Sequence, residues 1–269
     1  GVRYIYHENF KNHATPNVAL MYKPGKFNFR ASYAAGFRTP TLSELYATDI
    51  AKKNDRLTIG NLDLKSEKNN YFSLSAEYVH ERFSVSVNAF YNNIRDMIDY
   101  NTIATGDKAM EQYGHKEVRQ RDNIAEAKVH GINVSANAYL GAGFNLSGGY
   151  THLNTQDVEL EQPIDKSIKN AYNINAQWAH SWKIYRLNIN LNGRINSKRF
   201  SKSYGYAPEY QLWNLNTRHS FNLKSVIIEP GCGMENLFDY MDDRPYNSNY
   251  ATLTPGRSFY ISLSLKFKS

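Results

Sequence analysis

An all-β antiparallel transmembrane β-barrel wall of about twelve strands is the fold class predicted by three features of the sequence. The first is alternation. Residues 185–196 read Tyr-Arg-Leu-Asn-Ile-Asn-Leu-Asn-Gly-Arg-Ile-Asn. Successive side chains of a strand point to opposite faces, so Tyr185, Leu187, Ile189, Leu191 and Ile195 share an apolar face, and Arg186, Asn188, Asn190, Asn192, Arg194 and Asn196 a polar one. The second is a load of twenty-one Tyr beside three Trp and 13 Phe, rings with an apolar body and a polar tip that gather at membrane-water boundaries. The third is the spacing of strand-like stretches, whose connections alternate between very short and long, as in outer-membrane barrels with short periplasmic turns and long outer loops.

Composition narrows the remaining classes. The chain has 269 residues, 41% of them hydrophobic, and a mean hydropathy of -0.62. It contains no apolar run long enough for a spanning helix, which excludes a helical membrane protein. A barrel stays compatible with that polarity because only alternate residues face lipid. The formal charge of +7 and pI near 9.2 come from bases spread along the chain rather than gathered on one segment, so nucleic acid is not an expected partner. Cys232 is the single cysteine and forms no intrachain disulfide. It shares parity with Ile228 and Met234, as a small lipid-facing hydrophobe would. The eight His residues are dispersed without metal-ligand spacing. No catalytic residue, metal ligand or cofactor is expected.

The elements follow in order. An opening strand covers residues 2–8. Residues 18–22 and 27–37 are joined by Lys23-Pro24-Gly25-Lys26, whose Pro and Gly supply turn geometry. Residues 67–79 and 83–96 meet around Glu81-Arg82, 132–139 and 144–154 at Leu140-Gly141-Ala142-Gly143, 172–180 and 185–196 near Trp182-Lys183, and 213–222 and 226–238 at Leu223-Lys224-Ser225. A last strand, 257–267, places Phe259, Ile261, Leu263, Leu265 and Phe267 on one face. Long polar loops are expected at 38–66, 100–122, 155–170, 197–211 and 239–256. Pro230 interrupts its strand, which predicts a bulge or a weakened pairing there.

Five segments resemble one known family. Residues 29–46, Phe-Arg-Ala-Ser-Tyr-Ala-Ala-Gly-Phe-Arg-Thr-Pro-Thr-Leu-Ser-Glu-Leu-Tyr, are similar to the Gly-Phe-Arg-x-Pro-(Thr/Ser)-Leu-x-Glu-Leu-Tyr stretch of TonB-dependent outer-membrane receptors. Residues 60–68, Gly-Asn-Leu-Asp-Leu-Lys-Ser-Glu-Lys, resemble that family's Gly-Asn-Pro-x-Leu-Lys-Pro-Glu box, with Leu62 and Ser66 where prolines usually stand. Phe90-Tyr91-Asn92-Asn93-Ile94-Arg95-Asp96-Met97-Ile98, Asn236-Leu237-Phe238-Asp239 and Pro255-Gly256-Arg257-Ser258-Phe259-Tyr260 follow in family order. The C-terminus departs from the pattern, because Phe267 is followed by Lys268-Ser269 where these barrels often end on the aromatic.

The resemblance implies a barrel of about 22 strands closed around a plug. Residues 1–269 are therefore expected to be the C-terminal portion of such a barrel, with the plug, the N-terminal strands and the energy-coupling segment absent from this chain. Alone, it is not expected to transport. Such receptors actively take up large scarce solutes, so the implied ligand is an iron complex, a siderophore or haem, with cobalamin as the alternative. Haem receptors of the family tend to carry a His between the first two boxes, and residues 41–60 contain none. His13 and His115 are the histidines that could still reach an iron from another loop. The implied partners are the remainder of the receptor, the TonB complex through the missing part, and outer-membrane lipid with lipopolysaccharide.

Loop aromatics and cations suit planar or catecholate ligands by stacking and charge, which selects Tyr113, His115, Arg119, Tyr204, Tyr206, Tyr246 and Tyr250. Packing within the loops competes with that role for each of them. Arg38, Pro40, Glu44, Asn61, Asn236, Phe238 and Arg257 match family boxes and are read as structural. Two other membrane barrels fit the sequence less well. An autotransporter-type secretion barrel would call for a helix before the first strand, whereas residue 1 leads straight into a strand-like stretch. An outer-membrane lipase would need Ser and His on one face, whereas Ser147 and His152 have opposite parity.

Overall fold

The computed structural model describes residues 1–6, 12–202, 204–242 and 251–268. Its strands are β1 (Val2–Ile5), β2 (His13–Tyr22), β3 (Phe27–Arg38), β4 (Thr48–Ala51), β5 (Arg56–Ile59), β6 (Glu67–Val79), β7 (Phe83–Thr105), β8 (Glu117–Gly141), β9 (Phe144–Asp157), β10 (Asn170–Trp182), β11 (Tyr185–Asn196), β12 (Arg199–Ser201), β13 (Gly205–Ala207), β14 (Tyr210–Asn222), β15 (Val226–Glu235) and β16 (Ser258–Phe267). Two short helices, α1 (Leu42–Tyr46) and α2 (Gly106–Tyr113), lie in the connections.

Twelve strands make one continuous antiparallel wall in the order β1-β2-β3-β6-β7-β8-β9-β10-β11-β14-β15-β16. The outermost two, β1 and β16, do not pair with each other among the described residues. The hairpin β4–β5 leans on the wall through a parallel pairing of β5 with β8, and β12–β13 is a separate two-stranded ribbon.

Register carries one apolar face from strand to strand. Val18 faces Tyr33, Tyr33 faces Phe72, and Phe72 faces Tyr91. On the far side Ala176 faces Leu191, Leu191 faces Leu215, Leu215 faces Met234 and Met234 faces Phe259. Among the described residues nothing covers this face: Ile261 is 88% exposed and Leu20 70%. A sandwich would have buried such residues against a second sheet. Aromatic rings band the face near the short turns, where Phe27 packs on Tyr78 and Trp182 stacks on Tyr185, and again toward the loops, where Tyr150 stacks on Tyr172. Two such bands around an apolar belt are the surface of a bilayer-spanning strand array.

The opposite face is wet and tied by side-chain hydrogen bonds, including Ser32 to Ser73 at 2.6 Å, Ser86 to Ser135 at 2.7 Å, Asn175 donating to Asn192 at 2.5 Å, and Tyr260 donating to Asn216 at 2.6 Å. Cross-strand polar pairs of this kind set register on a hydrated face.

The expected strands β6 and β11 have the predicted bounds. The main departure is the loop expected at 100–122. There β7 continues to Thr105 and β8 starts at Glu117, so that only α2 and a few residues separate them. Alternation fails in this stretch for a physical reason: the strands have left the apolar belt, and bulges between Ile94 and Met97, Met97 and Ile98, and Thr102 and Ala104 break the parity. The 38–66 stretch likewise holds α1, β4 and β5. At Pro230 the ladder to β14 skips from the pair Arg218 and Gly231 to the pair Phe221 and Ile228 without a register shift, while pairing to β16 is unbroken. The pairing is weakened there rather than bulged. Cys232 is exposed and faces Ile261, on the apolar face as its parity requires.

Candidate functional site

Among the described residues, two small buried apolar cores lie at the loop end, where they support the connections. In the first, Leu45 of α1 packs with Leu64 and Ile98. Above it stands an ionic brace. Arg38 at the end of β3 donates from Nε and Nη2 to Glu67 at 2.8 and 2.6 Å, and from Nη1 to Glu44 at 2.9 Å. Glu67 also accepts from the Ile98 N–H at 2.8 Å. α1 begins with a capping box in which Thr41 and Glu44 satisfy each other's backbone N–H groups, after the buried Pro40. The Asn61 N–H donates to the Glu44 carbonyl at 3.0 Å. Gly60 lies so close to α1 that a Cβ would fall 2.4 Å from the Leu45 carbonyl oxygen. Burial pushes the Glu44 and Glu67 carboxyls up, but hydrogen bonds from Arg38 and from the Thr41 and Ile98 backbones outweigh it and hold both below their ordinary value. Glu67 first and Glu44 second raise Arg38 in turn.

Asn123, a residue the sequence did not single out, closes this region. Its side chain accepts from the Lys65 N–H at 2.6 Å and donates to the carbonyls of Lys65 and Asp96 at 3.0 and 2.6 Å.

The second core joins Ala104, Ala109 and Val118, with Tyr113 packed against it. Tyr113 is thus a packing residue of the α2 tip. Nearby, His115 Nδ1 lies 2.9 Å from Asp55, Arg119 donates to Glu117 at 2.6 Å, and Arg121 sits 3.6 Å over the Tyr100 ring. The His115 contact holds the Asp55 carboxyl below its ordinary value. His13 lies 3.2 Å from Ser66 and stacks on Phe37. Both histidines singled out as possible iron ligands are engaged with neighbouring side chains. Among the described residues no three His, Cys, Asp or Glu side chains gather as a metal site.

Tyr204 and Tyr206 belong to the β12–β13 ribbon and are 57% and 56% exposed, with Tyr206 packed edge-on to Phe200. They form a group separate from the α2 tip. Tyr246 and Tyr250 lie outside the described residues. At the loop end of β10, β11 and β14 there is also a recess of about 550 Å³, lined by Asn170, Asn196, Glu209, Tyr210, Gln211 and Tyr240 among others. Tyr210 and Tyr240 stack at 5.9 Å, and Asn196 donates to the Tyr210 hydroxyl at 2.6 Å. The sequence reading missed this recess because it started the strand at 213 and left Tyr210 in a loop. The arrangement offers stacking surfaces and amide hydrogen bonds, which bind rather than react. Ser147 lies on the polar face and His152 on the apolar one, opposite Ile132, as their parity requires.

The 236–239 box is a turn. Asn236, in the left-handed region at φ 51°, donates to the Tyr240 carbonyl at 2.7 Å and accepts from its N–H at 2.9 Å. The Arg257 N–H donates to Asp239 at 2.7 Å, and Phe238 meets Trp213 edge-on. Asn236→Ala should cost about 1–3 kcal/mol, since it removes both bonds from a nearly buried turn and places a Cβ-bearing residue without a local hydrogen bond at positive φ. A lower urea midpoint with an unchanged slope is the expected result.

Comparison with known proteins places this geometry. A family model described as TonB dependent receptor-like, beta-barrel matches residues 1–237. The ferric enterobactin receptor PfeA of Pseudomonas aeruginosa superposes with a TM-score of 0.77 at 20% identity, over 99% of this chain and 42% of its own. The siderophore receptor PirA of the same organism gives 0.71 at 16%, over 100% and 44%. BauA, the ferric preacinetobactin receptor of Acinetobacter baumannii, gives 0.66 at 17%, over 96% and 36%. The chain thus spans less than half the length of these structures. With the family's motifs standing at the brace and the turn, and an exposed apolar wall backed by a hydrated one, the chain belongs to the TonB-dependent receptor-like β-barrel family.

Proposed function

We propose that this chain is the C-terminal portion of an outer-membrane receptor that takes up an iron–siderophore complex, with a plug and further strands completing the barrel. The observation that carries the reading is the wall itself, which superposes over nearly its whole length on barrels of siderophore receptors. Support comes from the two edge strands. In a bilayer, unpaired backbone groups on β1 and β16 would each lose several kcal/mol, a penalty that additional strands remove. The polar face then lines the lumen and the loop end faces outward. A ferric chelate would meet tyrosines first, at the Tyr210 and Tyr240 recess and on the β12–β13 ribbon, where ring stacking and amide hydrogen bonds suit an aromatic, oxygen-rich ligand. The TonB complex would act on the missing portion and supply the energy for release.

The test uses the full-length receptor in detergent, titrated with ferric siderophores, haem and cyanocobalamin and followed by intrinsic tryptophan fluorescence. Growth of a deletion strain on each as sole source runs in parallel. Saturable binding of a ferric siderophore and a growth defect on that source are expected. Binding confined to haem or cobalamin, or no defect on any source, overturns the iron–siderophore reading.

A further inference from the structure

We infer that the lumenal face of β10, β11 and β14 carries a transit lane for an anionic ferric chelate, with Arg194 near its loop end and Arg186 and Arg218 forming a second, lower anion site. Parity lays the lane out. Arg194, Asn192, Asn190, Asn188 and Arg186 alternate with the apolar residues of β11 and so share its polar face. Asn196, which lines the Tyr210 recess, is the next polar-face residue above Arg194. From Arg194 to Arg186 is eight residues, about 27 Å along the tilted strand and most of the height of the apolar belt. On β14, Arg218 faces Asn188 while Arg186 faces Ser220. The two arginines are thus diagonal neighbours, about 7–8 Å apart at their backbones, and repel when no anion stands between them. The three strands contain no Asp or Glu. Among the described residues no carboxylate lies within ion-pair distance of Arg186, Arg194 or Arg218. Glu229, on β15, is taken by Lys266 at 2.6 Å.

Between the arginines the lane is made of amides. Asn175 donates to Asn192, Asn192 to Asn190 and Asn190 to Asn175, a closed ring in which each carbonyl accepts from a neighbour and each amide keeps a second N–H. Toward the turns, a recess of about 380 Å³ is lined by Gln177, Asn188, Asn190, Asn216, Arg218 and Tyr260 among others. Tyr260 donates to the Asn216 carbonyl at 2.6 Å, which leaves the amide N–H groups of Asn216 to give. N–H donors beside unpaired guanidinium groups suit the oxygens of an anionic chelate. An anion offered two separated stations can be both admitted and released, as passage requires. The rest of the wall lacks this arrangement. The spanning parts of β7, β8 and β9, residues 84–92, 129–139 and 145–153, contain no Lys, Arg, Asp or Glu. On β3, Arg30 shares a recess with Glu77, and Arg38 is paired to two carboxylates.

The lane rests on the uptake reading proposed above. The test expresses the full-length receptor in a strain stripped of its other iron receptors and measures equilibrium binding and energy-dependent import of radioiron chelates: ferric enterobactin and ferric citrate, which are anions, neutral ferrichrome, and cationic ferrioxamine B. Import of an anion in preference to the other two is expected. Arg186→Gln/Arg218→Gln should leave binding of that anion unchanged and slow its import about tenfold, the lower end of what a lining of one charge sign adds to a rate. Arg186→Lys/Arg218→Lys should keep most of the parent rate, and Asn190→Asp, a negative charge in mid-lane, should slow import as the Gln pair does. Heat-modifiable gel mobility reports that each variant is folded. Import by the Gln pair at the parent rate, a loss of binding that matches the loss of import, or a parent that prefers the neutral or cationic chelate overturns the lane while leaving uptake intact. A plug that trypsin cleaves in the Gln pair but not in the parent assigns the arginines to holding the plug, and overturns the lane as well. A parent that imports none of the chelates overturns the uptake reading itself, and the lane with it.

Discussion

Arginine in place of Leu191 should oppose membrane insertion, whereas arginine in place of its neighbour Asn190 should not. Leu191 faces Ala176 and Leu215 in the middle of the apolar wall. The ring pair Trp182 and Tyr185 lies toward the turns, and Tyr172, opposite Ile195, toward the loops. Tyr185 is six residues from Leu191, about 20 Å along the strand, and Ile195 four residues on the other side. Leu191 thus sits near the bilayer midplane, where an outward arginine costs about 2–4 kcal/mol. Asn190 points the other way, into an amide network with Asn175 and Asn192, where a further cation stays in water. Urea titration of the full-length receptor folding into phospholipid vesicles, read by tryptophan fluorescence and gel mobility, measures the difference. Equal effects of the two substitutions, or a larger effect at Asn190, would show that the faces have been assigned the wrong way round.

That contrast was legible in the sequence because a bilayer imposes a rule with period two on every residue it touches. Where lipid stops, so does the rule. The stretch 100–122 reads as a loop although most of it is strand, since bulges at Ile94/Met97, Met97/Ile98 and Thr102/Ala104 break the two-residue period. Arg38 and Glu44 were legible as motif residues, and they meet in an ion pair where the strand passes into the loop. Asn123 was not, because its three bonds go to backbone groups of segments distant in sequence, and any sequence can supply those. Choosing loop residues by type alone does not separate packing from binding: Tyr113, selected for stacking, packs in part against a small core.

Removing the guanidinium of Arg38 should loosen the loop end, and acid should erase the difference. Arg38→Ala leaves Glu44 and Glu67, 13% and 15% exposed, as two carboxylates without their shared cation. Breaking a fully buried pair costs about 3–5 kcal/mol and an exposed one about 0–1. With the Arg38 side chain 43% exposed and screened by water, about 2 kcal/mol is expected for the brace. Arg38→Lys should recover only part of it, because an ammonium cannot fork between two carboxylates. The pH dependence follows in sign. Both folded carboxyls titrate below the ordinary 4.5, so their contribution is complete above that value and is lost as pH falls through the folded values. In Arg38→Ala, burial and mutual repulsion instead raise both, so the variant gains relative stability as the carboxyls protonate. Hydrogen exchange at the Ile98 and Thr41 amides, which donate to the carboxylates of Glu67 and Glu44, should be faster in the variant at pH 7 and converge with the parent toward pH 4 after correction for intrinsic exchange rates. A gap that stays constant across this range would mean that Arg38 holds the loops by packing its aliphatic stem, and that the charges of the motif are incidental to the fold.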